Sequence, residues 1–326
     1  MKKTNIYLIT FLFLTIGIVV NSFSQTATYT VTKTTDPNPK LYNYNDSLCA
    51  PEMLNTLQWA ERKSIDDGIP STIVFAIPGT GTHIIYLEYE PPTIVKGNLT
   101  IDGTTQPGYQ GQPLVLIDGQ NKVERGLYFH DYSNYTVRGL GIQNCNRRGI
   151  LFEYAYDILV EDNVITQINN TSPDYSATAI RILGNPKIGH TDAIIRNNYL
   201  GTNVNLDTTL GCDDAGILIG PDANNNLIFG NTIAYNHQAG IYINGAIQNK
   251  ISQNLIFGQD TAIVLANGGN NNKMAPDSLQ YNDSTQVLSG IAEPFDTIEV
   301  FGSTGTENAN EYLASTQADE FGNWSL

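Results

Sequence analysis

Few residues in this chain have the types and spacing that chemistry requires. Asp213 and Asp214 stand side by side in GCDDAGI. Two carboxylates facing one sugar bond are what glycoside hydrolysis needs, one as acid and one as base or nucleophile. Arg181, in TAIRILG, points to another chemistry. An arginine base beside an acidic sugar, with calcium held by Asp213 or Asp214, would equip a polysaccharide lyase. Both features also have plainer readings, as solvated turn acids and as an outward arginine on a strand. The four histidines, His83, His130, His190 and His237, share no metal-ligand spacing. No Ser/His/Asp order, phosphate loop, HExxH helix or calcium-binding nonapeptide appears.

Tyrosines carry a different signal. Tyr128, Tyr132, Tyr135, Tyr154, Tyr156 and Tyr242 fall in or beside outward positions of successive repeats. Exposed rings in a row stack on sugars or meet a protein surface. Tyr128, Tyr154 and Tyr242 are the ligand-contact candidates. The alternative is that tyrosine is simply a good residue for an exposed strand position.

The elements that would position these residues come from a repeat of roughly two dozen residues. RGLYF from Arg125, RGILF from Arg148, TAIRI from Thr178, AGILI from Ala215, AGIYI from Ala239 and TAIVL from Thr261 align. A small residue comes second in each, and the apolar pair after it alternates with period two, the mark of a short strand. Examples are Leu127/Phe129, Ile150/Phe152 and Ile180/Ile182. Further columns read Val137, Val160, Ile195, Ile228, Ile251, then Leu140, Asn163, Asn198, Asn231, Asn254, then Ile142, Ile165, Leu200, Ile233, Ile256. A single coil cannot bury its apolar face, whereas a stack makes a continuous core. The pattern predicts an all-β right-handed parallel β-helix over residues 25–273, with Asn side chains laddered at a bend. A leucine-rich repeat would need denser leucine, and a propeller needs longer strands. Loops are expected at Ile168–Ser176, Leu183–Asp192 and Val204–Asp214. Arg181 should face outward in a column with Leu151 and Leu218.

The ends differ. Lys2, Lys3, the apolar run Ile6–Val20 and small residues before Gln25 have the layout of a signal peptide over residues 1–24. The run is too short to span a bilayer, and no later stretch would span one after cleavage. Met53, Leu54, Leu57 and Ala60 recur at helical spacing, which predicts a capping helix over Pro51–Asp66 stopped by Gly68 and Pro70. From 274 to 326, STQVLSGIAEP, TIEVFGS and ADEFGNWSL read as strands of a partial β-module. The net charge of −15 argues against a nucleic-acid partner. Cys49, Cys145 and Cys212 are far apart, allowing one bridge with an odd thiol left over.

TIVFAIPGTGTHII, PPTI, LTIDGTTQPGY and PLVLIDG, between Thr72 and Gly119, resemble secreted β-helix proteins of the CSLREA type. TLQWA, Thr56–Ala60, stands in the motif's place, with Gln58 where Arg is usual and no Cys directly before it. NNYLGTNVNLDTTLG and NNNLIFGNTI are similar to that family's repeats. MAPDSLQ through ADEFGNWS resembles a bacterial immunoglobulin-like module, expected here as either such a module cut short or a minimal hairpin layer. The resemblance implies fold and a secreted or cell-surface location, and little about chemistry. Adjacent aspartates also occur in β-helix polygalacturonases, ahead of Gly-His-Gly and Arg-Ile-Lys elements. Here IGHT at Ile188 and RIL at Arg181 precede the pair. The expectation is an exported, monomeric, non-catalytic surface or adhesion module without a cofactor, binding extracellular polysaccharide or surface protein. The alternative is a lyase or hydrolase of acidic polysaccharide, and calcium enters only with that alternative.

Overall fold

Short apolar–polar alternations separated by one-residue bends wind the chain into coils. The computed structural model describes residues 25–170, 176–302 and 311–326. The expected signal peptide lies outside the described residues, as does most of the expected loop at Ile168–Ser176. Three parallel sheets form the sides of a right-handed β-helix. The third sheet stacks Arg125–His130, Arg148–Glu153, Thr178–Leu183, Ala215–Ile219, Ala239–Asn244 and Thr261–Ala266. Each coil then crosses the first sheet (Ser133–Arg138, Tyr156–Glu161 and their successors) and the second (Leu140–Gln143, Val164–Thr166 and successors). Leu183, expected in a loop, ends a strand of the third sheet.

The corner between the first and second sheets shows why the sequence bends there. Gly139, Asp162, Asn197, Gly230 and Gln253 each hold a left-handed backbone, φ 66°, 57°, 56°, 63° and 53°. Gly, Asn and Asp tolerate that conformation best. The next residue in four of these coils is the laddered asparagine. Asn163 Nδ2 donates to Asn198 Oδ1 (3.0 Å), Asn198 to Asn231 (2.9 Å) and Asn231 to Asn254 (2.9 Å). Each Oδ1 also accepts the backbone N–H of the coil below, and each Nδ2 reaches a carbonyl there. A second ladder, Asn226 to Asn249 (2.8 Å), is headed by Thr191 Oγ1, which donates to Asn226 (2.6 Å).

The apolar columns register as the alternation implies. Leu127, Ile150, Ile180, Ile217 and Ile241 follow one another up the third sheet, and all are fully buried. Their continuation, Ile263, is 40 % exposed because no further coil covers the last strand. The small column has a packing reason. A Cβ on Gly149 would lie 2.4 Å from Ile165 Cγ2 and 2.6 Å from the Ala179 carbonyl oxygen.

The N-terminal end is capped by a helix, α1, over Leu57–Asp67. It starts six residues later than expected, because Thr56 is its N-cap: the Thr56 hydroxyl accepts the Trp59 N–H (3.2 Å), and Asn55 is left-handed at φ 63°. Met53 stays buried from the preceding turn. Under α1 the Glu61 carboxyl is wholly buried. Burial, then the Asp36 carboxylate, push its pKa well above the usual range against the pull of Arg62. A raised folded-state value means the stability Glu61 contributes is complete below its unfolded pKa. That stability is lost as pH rises through the folded pKa. Within that window it falls by about 1.4 kcal/mol per pH unit. Glu61→Gln should therefore match the parent in acid and exceed it in melting temperature at alkaline pH. Equal melting curves for the two proteins across pH 4–9 would refute this.

After the last coil, Asp277–Asn282, Val287–Ile291 and Asn323–Ser325 form one antiparallel sheet, and Thr297–Gly302 pairs with Glu311–Gln317. Ile298, Ala318 and Trp324 make their small core. Glu299 ties this module to the last coil by accepting the Gln253 N–H (2.7 Å) and the Ser252 hydroxyl. No helix among the described residues is long and apolar enough to cross a membrane.

Candidate functional site

The outer face of the third sheet gathers most of the candidate residues. Strand register places Tyr128, Leu151, Arg181, Leu218 and Tyr242 in one outward column. Neighbouring strands are about 4.8 Å apart. Tyr128 and Tyr242 thus stand about 10 Å to either side of Arg181. Tyr154 is exposed in the turn after the second of these strands, its ring edge-on to His130 at 5.5 Å. His130 in turn meets Tyr128 at 6.0 Å. Tyr132 is exposed, and Tyr156 packs against His190 at 6.2 Å.

Tyr135, expected in or beside an outward position, lies in the core instead. It is 1 % exposed and lies 4.9 Å from the Phe129 ring. It shares parity with the inward Val137 on strand Ser133–Arg138, so alternation sends both into the core.

At the lower end of the column lies a pocket of about 220 Å³, lined by Arg125, Tyr128, Arg147, Arg148, Leu151, Glu153, Arg181 and Leu183. Two of its arginines are neutralised at the rim. Arg125 pairs with Glu90 (3.0 Å) and Glu124 (2.9 Å), and Arg147 pairs with Glu124 (2.9 Å). Arg125 also lies over the Tyr128 ring at 4.9 Å. The Tyr128 hydroxyl donates to the Glu153 carboxylate; burial first, and then this bond, raise the phenol's pKa.

The other two arginines pair with no carboxylate among the described residues. Arg148 is 2 % exposed and donates only to neutral acceptors, the Arg147 carbonyl (2.6 Å) and the Ser176 hydroxyl (3.2 Å). Burial, then the neighbouring Arg181 and Arg147, bring its guanidinium down to about 9, which leaves it charged at neutral pH. Arg181 is half-buried and its Nε has no hydrogen-bond partner. Burial and then Arg147 lower its pKa, with Glu153 opposing.

Asp213 and Asp214 do structural work. Asp213 accepts the backbone N–H of Asn170 (2.6 Å), and Asp214 accepts that of Ala177. The second Asp214 oxygen takes Gln238 Nε2 (2.7 Å), and His237 lies 3.6 Å from Asp213. Asp214 also attracts Arg148. Its level in the register is that of Ala177, four residues before Arg181, so the acid pair sits at the start of the strands and Arg181 further along them.

Sequence reasoning missed Arg125, Arg147, Arg148 and Glu153. A signal was present: Arg125 and Arg148 occupy the same repeat position, directly before the small residue.

The cysteines are separate. Cys145 and Cys212 are fully buried free thiols, pushed up by burial, Cys212 to about 12. Ile168 lies between them in the stack, as Asn169 N donates to the Cys145 carbonyl and Asp213 N to that of Ile168. Cys49 is the third free thiol.

Residues 93–288 match the family model described as "Periplasmic copper-binding protein (NosD)". Among solved structures, an alginate lyase from Paenibacillus sp. str. FPU-7 is similar at 15 % identity, with a TM-score of 0.46, over 76 % of this chain and 70 % of that one. No curated protein matches.

Proposed function

Starting from a chain that belongs to the NosD family, described as periplasmic copper-binding proteins, we propose that this protein is an exported, non-catalytic β-helix module that holds a glycan on the outer face of its third sheet. One observation carries the reading: Tyr128, Arg181 and Tyr242 share a single outward column, with Tyr154 beside it. Rings spaced along a rigid face suit a repeating sugar chain, because each can stack on one unit. The finer resemblance belongs to this proposal. A CSLREA-type secreted protein with its signal peptide removed, ending in an immunoglobulin-like module, would present this face at the cell surface as a monomer.

What favours binding over hydrolysis is how the acids are used. Asp213 and Asp214 each spend an oxygen on a backbone amide, and Glu153 accepts the Tyr128 hydroxyl. The family description names copper, which prefers thiolate, thioether and imidazole donors gathered at one centre. Among the described residues no three of His, Cys, Asp or Glu gather at a metal-binding distance. The thiols are buried and apart. These residues do not fit a copper centre, and nothing in the proposal runs through a metal.

A glycan array should give hits with the purified protein. Tyr128→Ala and Tyr242→Ala should each weaken the best hit roughly tenfold, the loss of one ring contact of about 1.4 kcal/mol. An array without hits sinks the reading. Unsaturated product released from polygalacturonate would replace it with the lyase.

A further inference from the structure

We propose that Arg148 and Arg181 form an oxyanion pocket, so that the glycan held on this face is an acidic one whose carboxylate or sulfate ester enters between the two guanidinium groups. The inference rests on the glycan-binding reading above and goes further, naming the ligand's class.

Charge accounting comes first. In a chain of net charge −15, four arginines line one small pocket. Glu90 and Glu124 serve Arg125 and Arg147 through direct ion pairs. Among the described residues no carboxylate bonds Arg148 or Arg181. Glu153 is engaged by the Tyr128 hydroxyl, and both oxygens of Asp214, the remaining acid near Arg148, are held by Ala177 N and Gln238 Nε2. Two like charges therefore line one pocket from adjacent strands, drawn at a distance by Asp214 and Glu153 but bonded to neither, and one of them is almost wholly buried. Burying unpaired charge is costly, and a protein keeps such an arrangement at a functional site more readily than in a scaffold. An entering monoanion would offset the repulsion and occupy the buried Arg181 Nε that now lacks an acceptor.

Shape comes second. A guanidinium offers a planar fork of donors that matches a carboxylate or a sulfate. The pocket, at about 220 Å³, is below the range of drug-sized sites and suits one acidic sugar unit. Tyr128 forms one wall, so a ring whose acidic group points at Arg148 and Arg181 lies against an aromatic face.

The test is calorimetric titration with oligogalacturonate, with its methyl ester, with a sulfated oligogalactan and with poly-L-glutamate. The methyl ester, which keeps the sugar chain and removes the charge, should bind at least tenfold more weakly than the acid. Arg181→Gln should abolish that difference by weakening the acid towards the ester's affinity. Because the Arg181 side chain makes no hydrogen bond among the described residues, this variant should fold as well as the parent; Arg148→Gln is the second variant. Preference between the carboxylated and sulfated chains tells which ester or acid the pocket takes, and either preference supports it. Equal affinity for acid and ester overturns the pocket and leaves the glycan face standing. Poly-L-glutamate binding as tightly as oligogalacturonate overturns the glycan class in favour of an acidic peptide. If no glycan binds, acetate decides: a thermal shift in the parent and none in Arg181→Gln keeps the pocket and discards the glycan face, whereas no shift in either discards both.

Discussion

Asn198→Ala should lower the stability of the β-helix by about 4 kcal/mol, read as a fall in the urea midpoint with an unchanged slope. The asparagine side chain has a partner at every position. Its Oδ1 accepts the Asn163 N–H and Nδ2, both at 3.0 Å. Its Nδ2 donates to the Val160 and Arg196 carbonyls and to Asn231 Oδ1, each at 2.9 Å. All of this lies in a position 1 % exposed, where water cannot replace the lost partners. A buried polar group left unsatisfied costs about 1–3 kcal/mol, and alanine here orphans at least the Asn163 N–H and the Val160 carbonyl. Asn254→Ala should cost less, because Asn254 ends the ladder: its Nδ2 donates to the Ile228 and Ser252 carbonyls and to no further asparagine among the described residues. A loss below 1 kcal/mol at Asn198 would show that the ladder is ornament.

Phe152→Ala should cost about 3–5 kcal/mol, the usual range for removing a fully buried aromatic. Phe152 is inaccessible to solvent, stacks on Phe129 at 4.7 Å with rings nearly parallel, and touches the Tyr135 cluster at 6.2 Å. The coil cannot collapse into the space, because its backbone is pinned by parallel strands above and below. Phe152→Leu, which keeps most of the volume, should cost under about 1.5 kcal/mol. If both variants melt with the parent, the aromatic column is not part of the cooperative core.

These two positions also show which parts of the molecule were legible in advance. Phe129 and Phe152, and the asparagines at 163, 198, 231 and 254, recur at fixed places in a repeat, and stacking turns a repeat directly into contacts. The placement of Arg181 with Leu151 and Leu218 followed from parity within one strand. Tyr135 obeys the same parity: it lies two residues before the inward Val137, and its ring is buried with that column. The start of α1 at Leu57 depended on the Thr56 hydroxyl and a left-handed Asn55, which apolar spacing does not report.

The acid pair and the arginine pocket lie beyond what spacing can report. Asp213 and Asp214 read as paired carboxylates, and their partners are backbone amides of Asn170 and Ala177, which stacking of one coil on the next brings near. Arg148 and Arg181 are separated by a coil of irregular length, and only strand register sets them on adjacent strands of one face. The sequence by itself determined the coil, its inward columns, its ladder and the outward side of each strand, because all of these are local periodicities copied from repeat to repeat. Tertiary structure alone decided which charges meet and which stay unpaired, because that depends on how excursions of unequal length return the chain to register.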